Sequence, residues 1–369
     1  MQIKCNVLDR QFQMYQPEYE QAALRVLRSG WYVLGNEVRQ FEEEFAKYTG
    51  KKYCVGLNSG LDALIMSVRA LGIGRGDEVI VQANTYIATV LGITENDAVP
   101  VFVEPDEYYN MDANKIEQAI TDRTKAIMVT HLYGQASDMN SIVGIAQKHH
   151  LEIIEDCAQS HGACFDGRMT GTFGIAGCFS FYPTKNLGAF GDAGAIVTDD
   201  GAFADRLRMM RNYGSKIKYH NEIEGVNSRL DEIQAALLRV KLAHLQELNE
   251  ERKTLANRYN EGITNPEVIL PGLRQGAESI YHQYVVRCAG RDALQAALEQ
   301  KGIQTQIHYP IPPHLAACYR HLGHKKGAYP ITESYADEIL SLPIYTGMTF
   351  AEQDYVIEQI NAWAIEENK

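Results

Sequence analysis

Between residues 53 and 198 the chain alternates short apolar runs with stretches of helical period, and few folds accept that rhythm. The runs are Tyr53–Leu57, Glu78–Val81, Val99–Val103, Ala126–Leu132, Leu151–Ile154, Cys178–Tyr182 and Ala195–Thr198. Each has the length of a strand buried on both faces. Helical stretches at Ser59–Leu71, Ile87–Asn96, Asp112–Ala119 and Met139–His149 separate several of them. Strand, covering helix, next strand predicts a mostly parallel sheet layered by helices, an α/β fold. The last two runs lie too close for a covering helix, so they are expected to pair antiparallel.

Upstream, Val38, Phe41, Phe45 and Tyr48 recur at helical spacing. Downstream, Leu230, Ile233, Leu237, Val240, Leu245 and Leu248 mark one long amphipathic helix from about Ser228 to Tyr259. From Ile269 the pattern becomes a smaller α+β unit. We therefore expect a large domain over residues 1–250, including the N-terminal segment, and a small C-terminal domain over 251–369. A total of 369 residues suffices for both.

Composition narrows the function. A formal charge of −12 argues against nonspecific nucleic-acid binding, which needs a basic surface. The opening MQIKCNVLDRQFQMY has no apolar signal-peptide core, and no run of 18 apolar residues predicts a membrane span. The seven cysteines form no C-x-x-C pair, so free thiols in a cytoplasmic protein are expected.

Three stretches carry chemistry. In "GLNSGLDALIMSVRALG" a strand ends and a helix begins, with Ser59 as N-cap and Asp62 completing a capping box. Free N–H groups at such a terminus suit a phosphate, although a plain capped helix reads the same way. "LEIIEDCAQSHGA" is a buried strand ending in Glu155-Asp156, and ligands of open α/β sheets sit beyond the carboxyl ends of strands. An acid there can pair with a cationic ring nitrogen or cap the next turn. In "FSFYPTKNLGAFGDAGAIVT" Lys185 is the only cation, among aromatic and small residues, ahead of a glycine-rich turn. A desolvated lysine loses proton affinity and becomes a nucleophile toward an aldehyde. Pyridoxal phosphate needs a lysine, an acid for its ring nitrogen, a phosphate cradle and an aromatic face. Ser59-Gly60-Leu61, Tyr86, Asp156 and Lys185 supply these in order.

"EDCAQSHGA", "FSFYPTKNLGAFGDAGAIVT" and "GVNSRLDEIQAALL" resemble the DegT/DnrJ/EryC1/StrS family of pyridoxal-phosphate sugar aminotransferases, and the likeness runs over nearly the whole chain. The resemblance implies a fold-type-I aminotransferase, with a seven-stranded mixed sheet in the large domain and a smaller C-terminal α+β domain. It also implies a homodimer with shared active sites. By the match, Lys185 bonds the cofactor aldehyde and shuttles protons, Asp156 holds the ring nitrogen protonated, and Gln159 lies near the ring hydroxyl. Ser59, Gly60, Leu61 and Ser180 match phosphate ligands, Asn227 the phosphate of the neighbouring subunit, and Tyr86 the stacked aromatic. His161 is expected to be catalytic on the sugar side. Tyr219, Arg229, His308 and Tyr309 are expected near the sugar or diphosphate.

The implied reaction transfers the amino group of L-glutamate to a dTDP-3-keto-6-deoxyhexose, giving dTDP-3-amino-3,6-dideoxyhexose and 2-oxoglutarate. Such products feed lipopolysaccharide O-antigens or antibiotic sugars. C4-specific nucleotide-sugar aminotransferases and keto-inositol aminotransferases are the alternatives within the family; outside it stands a catalytically inactive regulatory protein on the same fold. Dehydratase relatives carry histidine where Lys185 stands. His308, His314, Cys318, His321 and His324 match no standard zinc spacing, so no metal is expected.

Overall fold

The computed structural model describes residues 1–364. Seven strands form the central sheet: β1 (Tyr53–Leu57), β2 (Glu78–Gln82), β3 (Val99–Val103), β4 (Thr124–Thr130), β5 (Glu152–Asp156), β8 (Ala176–Ser180) and β9 (Gly194–Thr198). The intervening β6 (Cys164–Phe165) and β7 (Arg168–Met169) form a short hairpin outside it, extended by β12 (Ala277–Glu278). The sheet order is β1-β9-β8-β5-β4-β2-β3. Strands β8, β5, β4, β2 and β3 run parallel, whereas β9 is antiparallel to both β8 and β1. The expected mixed seven-stranded sheet is thus present, and its one reversal sits on the strand after Lys185.

Helices cover both faces, which is why the strands are apolar on both sides. Alternate residues divide between two cores. Val79, Val81 and Met128 face α4 (Gly60–Ala70), α5 (Ile87–Thr94) and α7 (Gly201–Met210), whereas Ile80, Ile127 and Val129 face α6 (Met139–His149). Near β8, α3 (Asn36–Thr49) and α8 (Glu232–Gly262) close the second face. There Phe45 meets Phe179 edge-on at 5.0 Å and Phe181 at 5.3 Å, and Phe41 meets Phe181 at 5.4 Å. Each such pair contributes about 0.5–1.5 kcal/mol beyond its buried area. Together they anchor the base of the segment that carries Lys185.

A separate core gathers Tyr259, Tyr284, Val286, Leu294, Leu340, Val356 and Ile360 around β13 (Tyr284–Arg287) and β14 (Ile339–Leu342). Ile3 packs into it, and its strand-like segment pairs with Ile303, so the first residues of the chain join the C-terminal unit. Between α7 and α8, β10 (Ser215–Ile217) and β11 (His220–Asn221) form an exposed hairpin.

Two expectations give way. Asp112–Ala119 forms two separate 3-10 turns rather than a helix, because only Ile116 is buried there and one anchor cannot hold an amphipathic face. The long helix begins at Glu232, not near Ser228; Asp231 precedes it as N-cap, and Ser228 is tied to the α4 terminus instead.

Candidate active site

The carboxyl ends of β4, β5 and β8 converge on one point. Asp156 is the last residue of β5 and is buried. Its Oδ2 accepts from Thr89 Oγ1 at 2.7 Å and its Oδ1 from the Ala158 amide at 3.0 Å. Thr89 is in turn linked through Thr85, at 2.7 Å, to Thr130 at the end of β4. Among the described residues no cation pairs with the carboxylate, and burial raises its pKa while Lys185 pulls the other way. Just before it, Glu155 is fully buried and serves the fold. Its oxygens accept from the amides of Gly171, Phe173 and Gly174 at 2.7, 2.7 and 2.8 Å and meet His131 Nε2 at 3.0 Å. These bonds lock the 170–174 loop beneath the end of β5. Cys157 lies within 4.8 Å of the same ligand atoms, but the carboxylate oxygens are already engaged.

Lys185 leaves the loop after β8 half-buried, with its amide donating to Tyr182 O at 2.8 Å. Burial lowers its pKa to about 8, against an opposing pull from Asp156. Its backbone carbonyl accepts from Lys241 Nζ at 3.3 Å. Lys241 lies on α8, only 2% exposed, and burial lowers its pKa to about 7. The sign for stability follows from proton counts: between pH 7 and about 10.5 the unfolded chain holds a proton on Lys241 that the folded chain has shed. Lys241 thus makes apoprotein stability rise with pH across that window. In Lys241→Met the slope of Tm against pH should be smaller than in the wild type by calorimetry; parallel curves would refute the assignment.

Ser59, Gly60 and Ser180, three of the residues expected at a phosphate, meet at the start of α4. Ser59 caps α4, accepting from the Asp62 amide at 3.1 Å. The capping box does not close, because the Asp62 carboxylate accepts from Ser228 Oγ at 2.7 Å. A Cβ on Gly60 would lie 2.5 Å from Ser180 Cβ, and one on Gly194 2.3 Å from the Ser59 carbonyl. Glycine at both positions lets the helix terminus, Ser180 and the start of β9 meet.

Tyr86 stands at the N-cap of α5, half-exposed, with its ring 4.8 Å from that of Tyr309. Gln159 links two loops: Nε2 donates to Tyr309 Oη at 3.0 Å and Oε1 accepts from the Tyr133 amide at 2.6 Å. The Tyr133 hydroxyl bonds the His308 carbonyl, and His308 Nδ1 lies 2.7 Å from Ser341 Oγ. Burial lowers the His308 pKa to about 4.

His161 is placed differently from expectation. Its ring is fully buried, 5.5 Å from Phe179 and 5.8 Å from Phe181, with Nε2 at 2.9 Å from Ser180 O. A carbonyl only accepts, so Nε2 carries the proton. Burial lowers its pKa to about 3. Sealed between rings, it has the surroundings of a packing residue rather than of a group that meets a sugar. Asn227 and Arg229 flank Ser228, which bonds the start of α4 in the same chain. Tyr219 is 84% exposed on the β10–β11 hairpin, Asn227 is exposed, and Arg229 Nη1 donates to Asn212 Oδ1 at 3.1 Å. Within one chain, no hydrogen bond or ring contact among the described residues joins these three to Lys185, Asp156 or Tyr86. Thr89, Asn186, Lys241 and His282 complete the centre, and no motif marks them; only adjacency to Lys185 signals Asn186.

A buried acid and a half-buried amine without a shared ion pair, a glycine-lined helix terminus and a half-exposed aromatic face fit pyridoxal phosphate. The family model for DegT/DnrJ/EryC1/StrS aminotransferases matches residues 13–361. The chain belongs to that family. It is 52% identical over 356 residues to a dTDP-3-amino-3,6-dideoxy-α-D-galactopyranose transaminase of Aneurinibacillus thermoaerophilus, covering 96% of this chain and 98% of the relative. It is 46% identical to a dTDP-3-amino-3,4,6-trideoxy-α-D-glucose transaminase of Streptomyces venezuelae, covering 94% and 92%. The crystal structure of S. venezuelae DesV in complex with a ketimine intermediate superposes with a TM-score of 0.97 at 44% identity, covering 100% of both chains. The chain is a pyridoxal-phosphate-dependent aminotransferase. Among the described residues no helix is long and apolar enough to cross a membrane.

Proposed function

We propose that the enzyme moves an amino group from L-glutamate to C3 of a dTDP-linked 3-keto-6-deoxyhexose, releasing 2-oxoglutarate and the dTDP-3-amino-3,6-dideoxyhexose. The observation that carries this reading is the 52% likeness, over almost the whole of both chains, to a relative named for such a product. The cofactor supplies an electron sink for the substrate carbanion. Lys185 would bond the cofactor aldehyde and, as a free amine, would carry the proton of the substrate α-carbon. Asp156 would hold the ring nitrogen protonated, Tyr86 would cover one ring face, and Ser59, Gly60, Leu61 and Ser180 would hold the phosphate. Gln159 stands by the ring hydroxyl, keeping Tyr309 and the Tyr133 loop in register.

Reverse assay tests the substrate. Purified enzyme with 2-oxoglutarate should deaminate a dTDP-3-amino-3,6-dideoxyhexose at least about 100-fold faster, in kcat/KM, than its 4-amino isomer or an amino-inositol, the difference of about 2.7 kcal/mol that one well-formed set of polar contacts supplies. Equal or reversed rates would move the assignment to the C4 or inositol branch. Galacto and gluco epimers compared in the same assay decide the stereochemistry.

Two copies share each site in this reading, which the exposure of Asn227 and Tyr219, neither bonded to its own chain's Lys185, supports. Asn227 reaches the cofactor phosphate of the neighbour, while Tyr219, Arg229 and His308 meet the nucleotide sugar. Asn227→Ala should weaken pyridoxal-phosphate binding about tenfold, the loss of one hydrogen bond to a charged group. Unchanged affinity by equilibrium dialysis would remove the shared contact. All seven cysteines are free, as suits a reducing cytoplasm.

A further inference from the structure

Behind Lys185 lies a buried polar chain that the reaction outlined above does not use. Asn186, the next residue, is 5% exposed. Its Nδ2 lies 3.3 Å from the Ile280 carbonyl and 2.8 Å from Asn249 Oδ1. Because the Ile280 carbonyl can only accept, the Asn186 amide group facing it is the NH2. The same test fixes Asn249, whose Nδ2 lies 2.8 Å from the His161 carbonyl. The remaining Asn186 atom, Oδ1, therefore faces His282 Nδ1 at 3.0 Å and must accept from it. His282 thus carries its proton on Nδ1.

The surroundings keep it neutral. His282 is 6% exposed, and its own carbonyl accepts from Arg252 Nη2 at 2.6 Å. Burial, then Lys185, Arg252, His161 and His308, all hold its pKa well below the ordinary histidine value, and among the described residues no acid bonds it. A neutral ring with a fixed Nδ1–H is a permanent donor to Asn186. The loop needs one: Gly188 follows three residues on, and the Lys185 carbonyl has only the long 3.3 Å bond to Lys241. A lysine amine hangs on four rotatable bonds, so its reach is set by where the backbone is held. His282 lies two residues before β13 and so comes from the C-terminal unit.

We propose that His282 is a positioning residue for Lys185, donating from Nδ1 to the Asn186 amide so that the C-terminal unit holds the lysine in reach of the cofactor aldehyde. The proposal rests on the reading of Lys185 given above. It is tested in the full-length holoenzyme with three variants. The amide nitrogen of asparagine falls where Nδ1 of histidine lies, whereas that of glutamine falls where Nε2 lies. His282→Phe should lower kcat about 30- to 100-fold with KM for L-glutamate changed less than about threefold, the scale expected when a reacting group is misplaced by about 1 Å. It should also move the pH midpoint of the near-visible absorption band. His282→Asn should restore both to near wild type, and His282→Gln should restore neither. A phenylalanine variant that behaves as wild type overturns the proposal. If that variant does not fold, the other two decide: asparagine about tenfold or more above glutamine supports the donor role, and equality overturns it. Borohydride trapping of the wild type separates the two readings. Cofactor fixed on a residue other than Lys185 removes the lysine assignment itself; cofactor fixed on Lys185, with all three variants unaltered, removes only the role of His282.

Discussion

Lys185→Ala is expected to reduce transamination by about 10⁴-fold or more, the combined scale of a lost nucleophile and a lost proton carrier. Lys185 lies in the loop after β8, half-buried and without a carboxylate partner among the described residues, and its pKa of about 8 leaves an appreciable neutral fraction near neutral pH. No other described amine takes its place: Lys241 Nζ is spent on the Lys185 backbone and sealed at 2% exposure. Mixing the purified variant with pyridoxal phosphate and L-glutamate, and following the near-visible band by stopped flow, reads the first half-reaction directly. The variant should retain its fold by circular dichroism, since the replaced chain forms no ion pair. A half-reaction rate within tenfold of wild type would remove Lys185 from the chemistry.

For Asp156→Ala the expected loss is about 10²- to 10³-fold in kcat, the range seen when one preorganised electrostatic partner of a reacting group is removed. Weaker retention of the cofactor on gel filtration should accompany it. The carboxylate is buried and each of its oxygens already accepts one bond, from Thr89 and from the Ala158 amide, so its remaining acceptor capacity is what a protonated ring nitrogen would use. Burial alone pushes its pKa up, and Lys185 opposes that rise. The bound ring cation would favour its ionised form further. Asp156→Asn separates charge from shape. Its single amide oxygen can keep the bond from the Ala158 amide while the Thr89 hydroxyl turns to accept from the new NH2, but the charge is lost, so it should resemble the alanine variant in kcat while losing less stability than that variant. Wild-type turnover in both would refute the pairing.

The division between what was legible in the sequence and what was not follows the range of the forces involved. Strand and helix alternation depends on neighbours within a few residues, and it located the seven strands and most of the helices; Asp112–Ala119 failed because its helix had one buried anchor. Asp156, Ser59 and Gly60 stood out because they sit at the end of a strand or the start of a helix, and Lys185 because it lies on the loop that follows a strand, which is where a parallel sheet presents ligands. The enclosure of His161 was not legible, because sequence shows the residue but not the two phenylalanine rings beside it. The sequence by itself determined the α/β class, the sheet-edge lysine and acid, and the family. Contacts in three dimensions alone show that Glu155 serves the 170–174 loop while its neighbour Asp156 accepts from Thr89, that His282 bonds Asn186, and that Tyr219 and Asn227 are exposed. The physical reason is that burial and hydrogen-bond direction are set by contacts between residues as far apart as Asn186 and His282, 96 positions in sequence, and no local pattern encodes which of two adjacent carboxylates will be turned inward.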